Sequence, residues 1–188
     1  VTGTRSLSLG GNSCREHFPA KDACMSYMIE RDGPETCNTY NMLKLTEGLF
    51  RMSPDAKYAD FYERAMFNHI LSTQHPVHGG YVYFTQARPA HYRVYSAPNS
   101  AMWCCVGSGM ENHGKYGEFI YSHAGDSLFV NLFVASELTW KERGITVRQD
   151  TRFPEEEAAR LTVSPGKAGR FKLLVRRPWW AGPSGFKV

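Results

Sequence analysis

The cysteines and one glutamate of this sequence form two short motifs whose residue types suit metal binding. Glu35-Thr36-Cys37 stands at the start of one predicted helix and Cys104-Cys105 at the start of another. One carboxylate and three thiolates make a ligand set suited to tetrahedral zinc, and helix N-termini stabilise thiolates. The adjacent cysteines lack the two-residue gap of a zinc knuckle. Buried free thiols without a metal therefore stay open as the alternative.

The cysteine count argues against a disulfide framework. The chain has five cysteines, an odd number, in 188 residues, which is too long to need disulfide staples. Neighbouring Cα atoms lie about 3.8 Å apart, whereas a disulfide prefers about 5.5 Å, so Cys104 and Cys105 are predicted to be two thiols. The sequence indicates no role for Cys14 or Cys24.

A second candidate group is the carboxylate of Glu16, which lies in a loop beside His17 and Phe18. A loop carboxylate next to aromatic rings can serve as a general acid, although most such groups are only solvated. Glu16 and Glu35 could also be the two carboxylates of an ordinary glycosidase. The sequence does not give the separation that would test this pairing.

Three weaker patterns have structural explanations at least as good as functional ones. His75 and His78 form a His-x-x-His pair in a Pro/Gly loop, which is a weak metal signal. Residues 107–109, Gly-Ser-Gly, fit close helix packing. The aromatic residues that could form a sugar-stacking platform, or fill a core instead, are Tyr81, Tyr83, Tyr92, Tyr95 and Trp103.

Along the chain, the first elements that must position these groups are helices. The first thirty residues are polar and broken by glycine and proline, which predicts a long loop with a short helical turn. A start signature at 32–35 predicts a helix to about Met52, with Met42, Leu45, Leu49 and Met52 as its buried stripe. A second helix is predicted over about 55–74, and a third from near Cys105 to before Gly125.

After Gly125 the hydrophobic period becomes alternating. Leu128, Val130 and Leu132 point to one face, and β-rich segments follow at 144–149, 159–163 and 171–176. Helices followed by strands indicate two packing units in series. We expect domains at 1–124 and 125–188.

Composition excludes several classes of function. The chain has 22 Lys and Arg against 18 Asp and Glu, with 42% hydrophobic residues, as in an ordinary globular protein. The longest apolar stretches, such as residues 128–134, are interrupted by polar residues such as Asn131 and are far shorter than a membrane span. No basic run exceeds Arg176-Arg177. We expect no membrane and no nucleic-acid partner. The start at Val1, with no initiator Met, suggests a cut chain whose compartment, periplasmic, secreted or cytoplasmic, stays open.

Several motifs in a fixed order carry a family resemblance over about residues 8 to 180. They are Gly-Gly-Asn-Ser at 10–13, Glu-His-Phe at 16–18, Glu-Thr-Cys at 35–37, Tyr-Asn-Met at 40–42, Tyr-Ala-Asp-Phe-Tyr-Glu-Arg at 58–64, Trp-Cys-Cys-Val-Gly-Ser-Gly-Met-Glu-Asn at 103–112 and Val-Asn-Leu-Phe at 130–133. The chain resembles the β-L-arabinofuranosidases of glycoside hydrolase families 127 and 146, and its intact Cys-Cys-Val-Gly-Ser-Gly-Met-Glu-Asn run is more similar to family 146.

The resemblance implies a retaining glycosidase that releases β-L-arabinofuranose from plant-type glycans, with zinc as its cofactor. It implies that Cys104 is the nucleophile and Glu16 the general acid/base. The zinc ligands that it implies are Glu35, Cys37, Cys104 and Cys105, and Tyr83 is implied to contact the sugar. Two alternatives stay open, namely a retaining glycosidase for another L-sugar and a noncatalytic module with a structural Cys/Glu zinc site.

The resemblance also implies a fold. The family's catalytic domain is an (α/α)6 barrel followed by a β-sandwich, and this chain has about three of the barrel helices before its strands begin. We therefore expect the C-terminal part of a barrel followed by the start of a sandwich. Upstream chain would supply the rest of the barrel, so whether these residues alone form a working site stays open.

Overall fold

Helices precede strands along the chain, as predicted. The computed structural model describes residues 1–29 and 32–182 together with residues 185 and 187. The chain divides into two compact units, Val1–Lys115 and Tyr116–Val188. The helices are α1 (Ser26–Ile29), α2 (Thr36–Met52), α3 (Ala56–Asn68), α4 (Cys104–Asn112) and α5 (Gly117–Ile120), with 3₁₀ turns at Ile70–Thr73 and Trp179–Ala181. The strands are β1 (Tyr121–Ala124), β2 (Ser127–Val130), β3 (Ser136–Trp140), β4 (Ile145–Thr151), β5 (Ala159–Pro165) and β6 (Lys172–Val175). Residues 183, 184, 186 and 188 of the predicted second domain lie outside the described residues.

The long helix α2 buries a different face from the predicted one. Leu45 and Met52 are 53% and 84% exposed, while Tyr40, Leu43 and Phe50 are buried. The buried face also contains Thr36, Thr39, Thr46 and Glu47. Because these polar residues occupy core positions, a stripe drawn through apolar residues alone is rotated away from the true one. Within the described part of the chain, no helix has the length and apolar character that crossing a membrane requires.

The N-terminal loop packs against the helices and supports the start of α2. Gly10 has φ +97°, and a side chain there would meet the backbone of Ala65 at 2.6 Å. Asn12 and Ser13 are fully buried, and Ser13 Oγ accepts the Glu35 N–H at 2.9 Å. Since the first N–H groups of a helix have no partner within the helix, this loop serine fixes the residue that precedes α2.

An extended segment at 81–85 crosses the same helix end. This segment forms isolated bridges, which pair Tyr81 with Gln74, Val82 with Tyr95 and Phe84 with Glu35. The Tyr83 carbonyl accepts the Thr36 N–H at 2.9 Å, and Thr36 Oγ1 donates to the Val82 carbonyl at 2.7 Å. The start of α2 is thus held by both the N-terminal loop and this segment.

The second unit contains two small sheets. In one, β2 pairs with β1 antiparallel and with β6 parallel, and in the other β4 lies between β3 and β5 with both pairings antiparallel. The shared core contains Leu128, Trp140, Ile145 and Val147. The predicted segments near 144–149, 159–163 and 171–176 are strands, as expected, and β1 and β3 are additional.

Candidate metal centre and active site

Four ligating side chains from two helix starts meet at one point. Glu35 precedes α2, Cys37 lies in its first turn, and Cys104 and Cys105 begin α4. One ligand atom from each of the four lies within 4.8 Å of the others. The structure therefore brings together all four residues that the sequence singled out as metal ligands.

The distances within this cluster suit one metal ion. Cys105 Sγ lies 3.2 Å from Cys37 Sγ and 3.8 Å from Glu35 Oε1, and Cys104 Sγ lies 4.0 Å from Cys105 Sγ. With Zn–S bonds of about 2.3 Å and Zn–O bonds of about 2.1 Å, ligand atoms on a tetrahedral zinc lie about 3.5–3.8 Å apart. The separations of 3.2 to 4.0 Å lie around this range, so the three sulfurs and one carboxylate could hold a single metal ion of this size.

The pKa shifts within the cluster also favour binding of a metal ion. Burial, followed by the negative charges of Cys37 and Glu16, raises the pKa of Glu35 to about 7. The Cys105 thiol donates to Cys37 and lowers the Cys37 pKa to about 6, and the same bond, together with burial, raises the pKa of Cys105. Acidic groups that repel one another in a small volume are relieved by a divalent cation, because the cation replaces the shared protons.

The two vicinal cysteines differ in exposure. Cys105 is fully buried, whereas Cys104 is exposed. Consecutive residues of a helix point in directions roughly 100° apart, so one thiol turns into the unit and the other toward the open side. Cys104 is the sulfur of the cluster that a molecule from solution can reach.

A tyrosine hydroxyl joins Cys104 to Glu16. The Tyr83 hydroxyl donates a hydrogen bond to Glu16 Oε1 and accepts one from Cys104 Sγ at 3.2 Å. Both hydrogen bonds raise the pKa of Tyr83, the one with Cys104 more than the one with Glu16, so the hydroxyl keeps its proton. The exposed thiol, the phenol and the carboxylate form one continuous hydrogen-bonded chain at the surface.

Backbone geometry in the N-terminal loop presents Glu16. Cys14 and His17 pair across a tight turn, and Arg15 within it has φ 54°. Arg15 also pairs with Pro34 through its backbone and lies 3.4 Å from the Asp32 carboxylate. The turn is thereby tied to the residues just before α2, which places the Glu16 carboxylate beside the cluster.

The aromatic candidates separate into different places. Tyr83 and Trp103 lie together, with ring centroids 6.0 Å apart, next to Cys104. Tyr92 is 79% exposed, and Tyr95 packs edge-on against His75. Tyr81 contacts Gly109 of α4, where a Cβ would meet its ring at 2.4 Å. Of the five rings, the described contacts bring Tyr83 and Trp103 together beside Cys104.

The His-x-x-His pair is engaged locally. The His75 and His78 rings stack with centroids 3.6 Å apart. His75 Nδ1 accepts the N–H groups of Val77 and His78, and His78 Nδ1 accepts that of Gly80. These bonds shape the loop and engage the Nδ1 atom of both rings.

Comparison with known proteins matches both units. The family model of the β-L-arabinofuranosidase GH127 catalytic domain matches residues 1–118. The chain belongs to this family. The model of the GH127 middle domain matches residues 127–188. Among proteins with curated functions, none matches the chain.

Solved GH127 structures share the fold. One is a GH127 β-L-arabinofuranosidase from Geobacillus stearothermophilus T6, with 24% identity, a TM-score of 0.72, and coverage of 94% of this chain and 30% of that one. Another is the GH127 β-arabinofuranosidase BT3674, with 22% identity, a TM-score of 0.78, and coverage of 95% and 28%. The chain thus spans less than a third of the length of these GH127 proteins. The finer expectation of closeness to family 146 stays a prediction.

Two site residues of this GH127 chain lack a clear signal in its sequence. Ser13 accepts the Glu35 N–H, and Ser108 lies 3.1 Å from Cys37 Sγ. The Gly-Ser-Gly run was expected to serve helix packing, which Gly109 does, while a Cβ on Gly107 would meet nothing within 4 Å. A serine three residues after a ligating cysteine shares its helix face, and this spacing is the signal that could have identified Ser108.

Proposed function

We propose that the protein is a retaining glycoside hydrolase that releases β-L-arabinofuranose from plant-type glycans, with Cys104 as nucleophile and Glu16 as general acid/base. The observation that carries the proposal is the Tyr83 hydroxyl, which contacts both groups beside the four-ligand cluster. Membership of the GH127 family supports the reaction class and the sugar.

The spacing of the two reacting groups favours retention. Because one hydroxyl contacts both, Cys104 Sγ and the Glu16 carboxylate lie within about 6 Å of each other, close to the roughly 5–5.5 Å of retaining enzymes and below the wider gap that an inverting enzyme needs for water. A sulfur nucleophile on one side of the anomeric carbon and a carboxyl on the other therefore suit double displacement.

In the first step the Cys104 thiolate attacks the anomeric carbon, and the glycosidic C–O bond breaks as Glu16 gives its proton to the leaving oxygen. In the second step the Glu16 carboxylate takes a proton from water, water oxygen bonds to the anomeric carbon, and the C–S bond breaks to return the thiolate. Each step moves one proton through Glu16, so the enzyme ends as it began.

Tyr83 assists both steps through its single proton. It donates to Glu16 while Cys104 carries a proton, and it can turn to Cys104 once that sulfur is a thiolate. The turn frees the Glu16 oxygen to hold the proton that the leaving group needs. Tyr83 and Trp103 also offer ring faces at the surface where the sugar would bind, which extends the proposed substrate contact of Tyr83.

Glu35, Cys37, Cys104 and Cys105 would hold the zinc ion that the family resemblance implies. When bound, zinc keeps the thiols deprotonated at neutral pH and fixes their orientation. A purely structural site is the competing possibility. The exposure of Cys104 and its contact with the Tyr83 hydroxyl favour the catalytic assignment, because structural zinc sites are closed.

We further propose that the helices of residues 1–124 belong to an (α/α)6 barrel, and that residues 125–188, with β1 paired to β2, belong to the start of a β-sandwich. The support is the order of helices and strands together with the GH127 fold similarity. In this proposal, additional chain completes the barrel around the site.

The proposal is tested on the protein with the additional chain that completes the barrel, by hydrolysis of matched aryl α- and β-L-arabinofuranosides in aqueous methanol. We expect cleavage of the β anomer, with methyl β-L-arabinofuranoside as the first methanolysis product by NMR. Cleavage of β-glycosides of another L-sugar alone would change the substrate assignment. An inverted methyl glycoside would overturn the retaining mechanism.

The metal part is tested separately by native mass spectrometry under reducing conditions. We expect about one zinc per chain, which a Cys105→Ala variant should lose. Full activity without bound metal, or a folded protein that binds none, would remove zinc from the proposal.

A further inference from the structure

Besides the Tyr83 hydroxyl, a serine hydroxyl outside the four-ligand set contacts one of the clustered sulfurs. Ser108 Oγ lies 3.1 Å from Cys37 Sγ. Ser108 follows Cys104 by four residues and Cys105 by three in α4, so it shares their face of the helix. Cys37, in contrast, belongs to the first turn of α2. The contact therefore joins the two helix starts from which the ligands come.

The direction of this hydrogen bond follows from the chemistry of the pair. A cysteine binds a metal ion as a thiolate, so Cys37 carries no proton when it acts as a ligand. A thiolate has no proton to give, whereas a serine hydroxyl has one. Ser108 therefore donates and Cys37 accepts.

We propose that Ser108 is a positioning residue of the metal centre, whose hydroxyl donates to Cys37 Sγ and holds that sulfur in the orientation that ligation requires. The inference rests on the proposed function, because it assumes that Cys37 binds the metal. Groups that hydrogen-bond to metal ligands fix ligand orientation and tune the ligand's donor strength. Ser108 does this for Cys37, the one cysteine of the cluster that comes from α2.

The first test compares zinc affinity, by competition with a chromophoric chelator, for the protein and for Ser108→Ala, Ser108→Thr and Met110→Ala. We expect Ser108→Ala to bind zinc about 10–100-fold more weakly, the usual cost of losing such a partner. Ser108→Thr keeps a hydroxyl and should restore affinity. Met110 is 57% exposed on the same helix, and its truncation is the matched control, with affinity unchanged.

A spectroscopic test separates the hydrogen bond from a general loosening of the site. In the cobalt-substituted protein, the thiolate-to-metal charge-transfer band reports electron density on the sulfurs. We expect this band to shift in Ser108→Ala, because the thiolate loses a donor, and to return in Ser108→Thr.

The outcomes distinguish this inference from the proposed function. If the unmodified protein binds no zinc, the metal assignment itself fails. If it binds zinc but Ser108→Ala has unchanged affinity and an unchanged cobalt band, the Ser108 role is wrong while the metal site stands. Equal losses in the Ala and Thr variants would assign the effect to side-chain shape and would also overturn the inference.

Discussion

The different surroundings of two adjacent thiols decide their proposed chemistry. Cys105 is fully buried and donates to Cys37 Sγ, while Cys104 is exposed and donates to the Tyr83 hydroxyl. A nucleophile must reach a substrate carbon, and a purely structural ligand need not. Position along the helix, rather than a difference in residue type, thus separates the two roles.

The nucleophile assignment predicts a selective loss on substitution of Cys104. Cys104→Ser should lower kcat by about 10⁴-fold or more, because a serine hydroxyl is a far weaker nucleophile under the same conditions. It should also weaken zinc binding, since one sulfur ligand is removed. Steady-state kinetics on an aryl β-L-arabinofuranoside and zinc titration measure the two effects.

Cys24→Ser is the matched control for that substitution. Cys24 is partly buried and is not among the clustered ligands. Its replacement should leave kcat and zinc stoichiometry unchanged. Near-normal turnover in Cys104→Ser would contradict the nucleophile assignment directly.

The two glutamates of the site should respond differently to the same change. Glu16→Gln should keep zinc and lower kcat by about 10²–10⁴-fold, with partial recovery on substrates whose leaving groups need no protonation. Glu35→Gln should lose zinc, because Glu35 is the clustered carboxylate. Parallel kinetics with two leaving groups and metal analysis separate the roles. Zinc loss in Glu16→Gln and not in Glu35→Gln would mean that the assignments are exchanged.

At the scale of elements, the close approach of α4 to the 81–85 segment sets the position of the cysteines. Gly109 lies against the Tyr81 ring, and an added Cβ would meet ring atoms at 2.4 to 2.9 Å. Tyr81 is two residues from Tyr83, so the contact between Gly109 and Tyr81 also sets the position of α4 relative to the Tyr83 hydroxyl. Gly107, two residues earlier in α4, has open space around its missing Cβ.

These two glycines give a matched pair for a stability experiment. Gly109→Ala should destabilise the protein by about 1–3 kcal/mol, because the methyl group overpacks the Tyr81 contact. Gly107→Ala should stabilise it by roughly 0.5–1 kcal/mol, because alanine loses less conformational freedom in a helix. Urea unfolding of both variants measures the difference. If Gly109→Ala destabilised the protein no more than Gly107→Ala does, the packing role of Gly109 would be refuted.

The candidate ligands could be predicted from the sequence more readily than the buried faces of the helices. Glu35, Cys37 and the vicinal cysteines stand out because few other residue types bind zinc. The buried face of α2 was missed because Thr39 and Thr46 occupy core positions, which hydrogen bonds make tolerable: Thr39 bonds to His69, and Thr46 to the Met42 carbonyl. Periodicity of apolar residues carries no information about such partners.

Contacts between distant parts of the chain were also beyond the sequence. The Tyr83 bridge to Glu16 spans 67 positions, and the Ser13 bond to the Glu35 N–H spans 22. The Glu16 turn depends on a positive φ at Arg15, which favours glycine or asparagine and is unexpected at an arginine. Local sequence propensity does not predict a backbone conformation that is imposed by tertiary contacts.

At the scale of the whole molecule, one buried histidine couples stability to pH. His69 is fully buried between Thr39 and Thr85, whose hydroxyls lie 3.0 and 3.1 Å from its two ring nitrogens. Burial, followed by the charge of Arg93, lowers the pKa of His69 to about 3. The folded protein therefore holds this ring neutral, while the unfolded chain protonates it near its ordinary pKa of about 6.5.

This difference predicts a loss of stability in acid. Between about pH 6.5 and pH 3 unfolding takes up a proton at His69, so the free energy of unfolding should fall by about 1.4 kcal/mol per pH unit from this residue alone. Above pH 6.5 the His69 ring is neutral in both the folded and the unfolded state, so its contribution is constant.

Urea unfolding at a series of pH values measures the slope of the free energy of unfolding against pH. This slope should be shallower in His69→Gln, whereas His123→Gln, at an exposed position, should keep the original slope. In the unmodified protein, NMR titration of the His69 ring should show no protonation down to pH 4. Protonation near pH 6 with an unchanged slope in His69→Gln would mean that this ring does not carry the acid sensitivity of the fold.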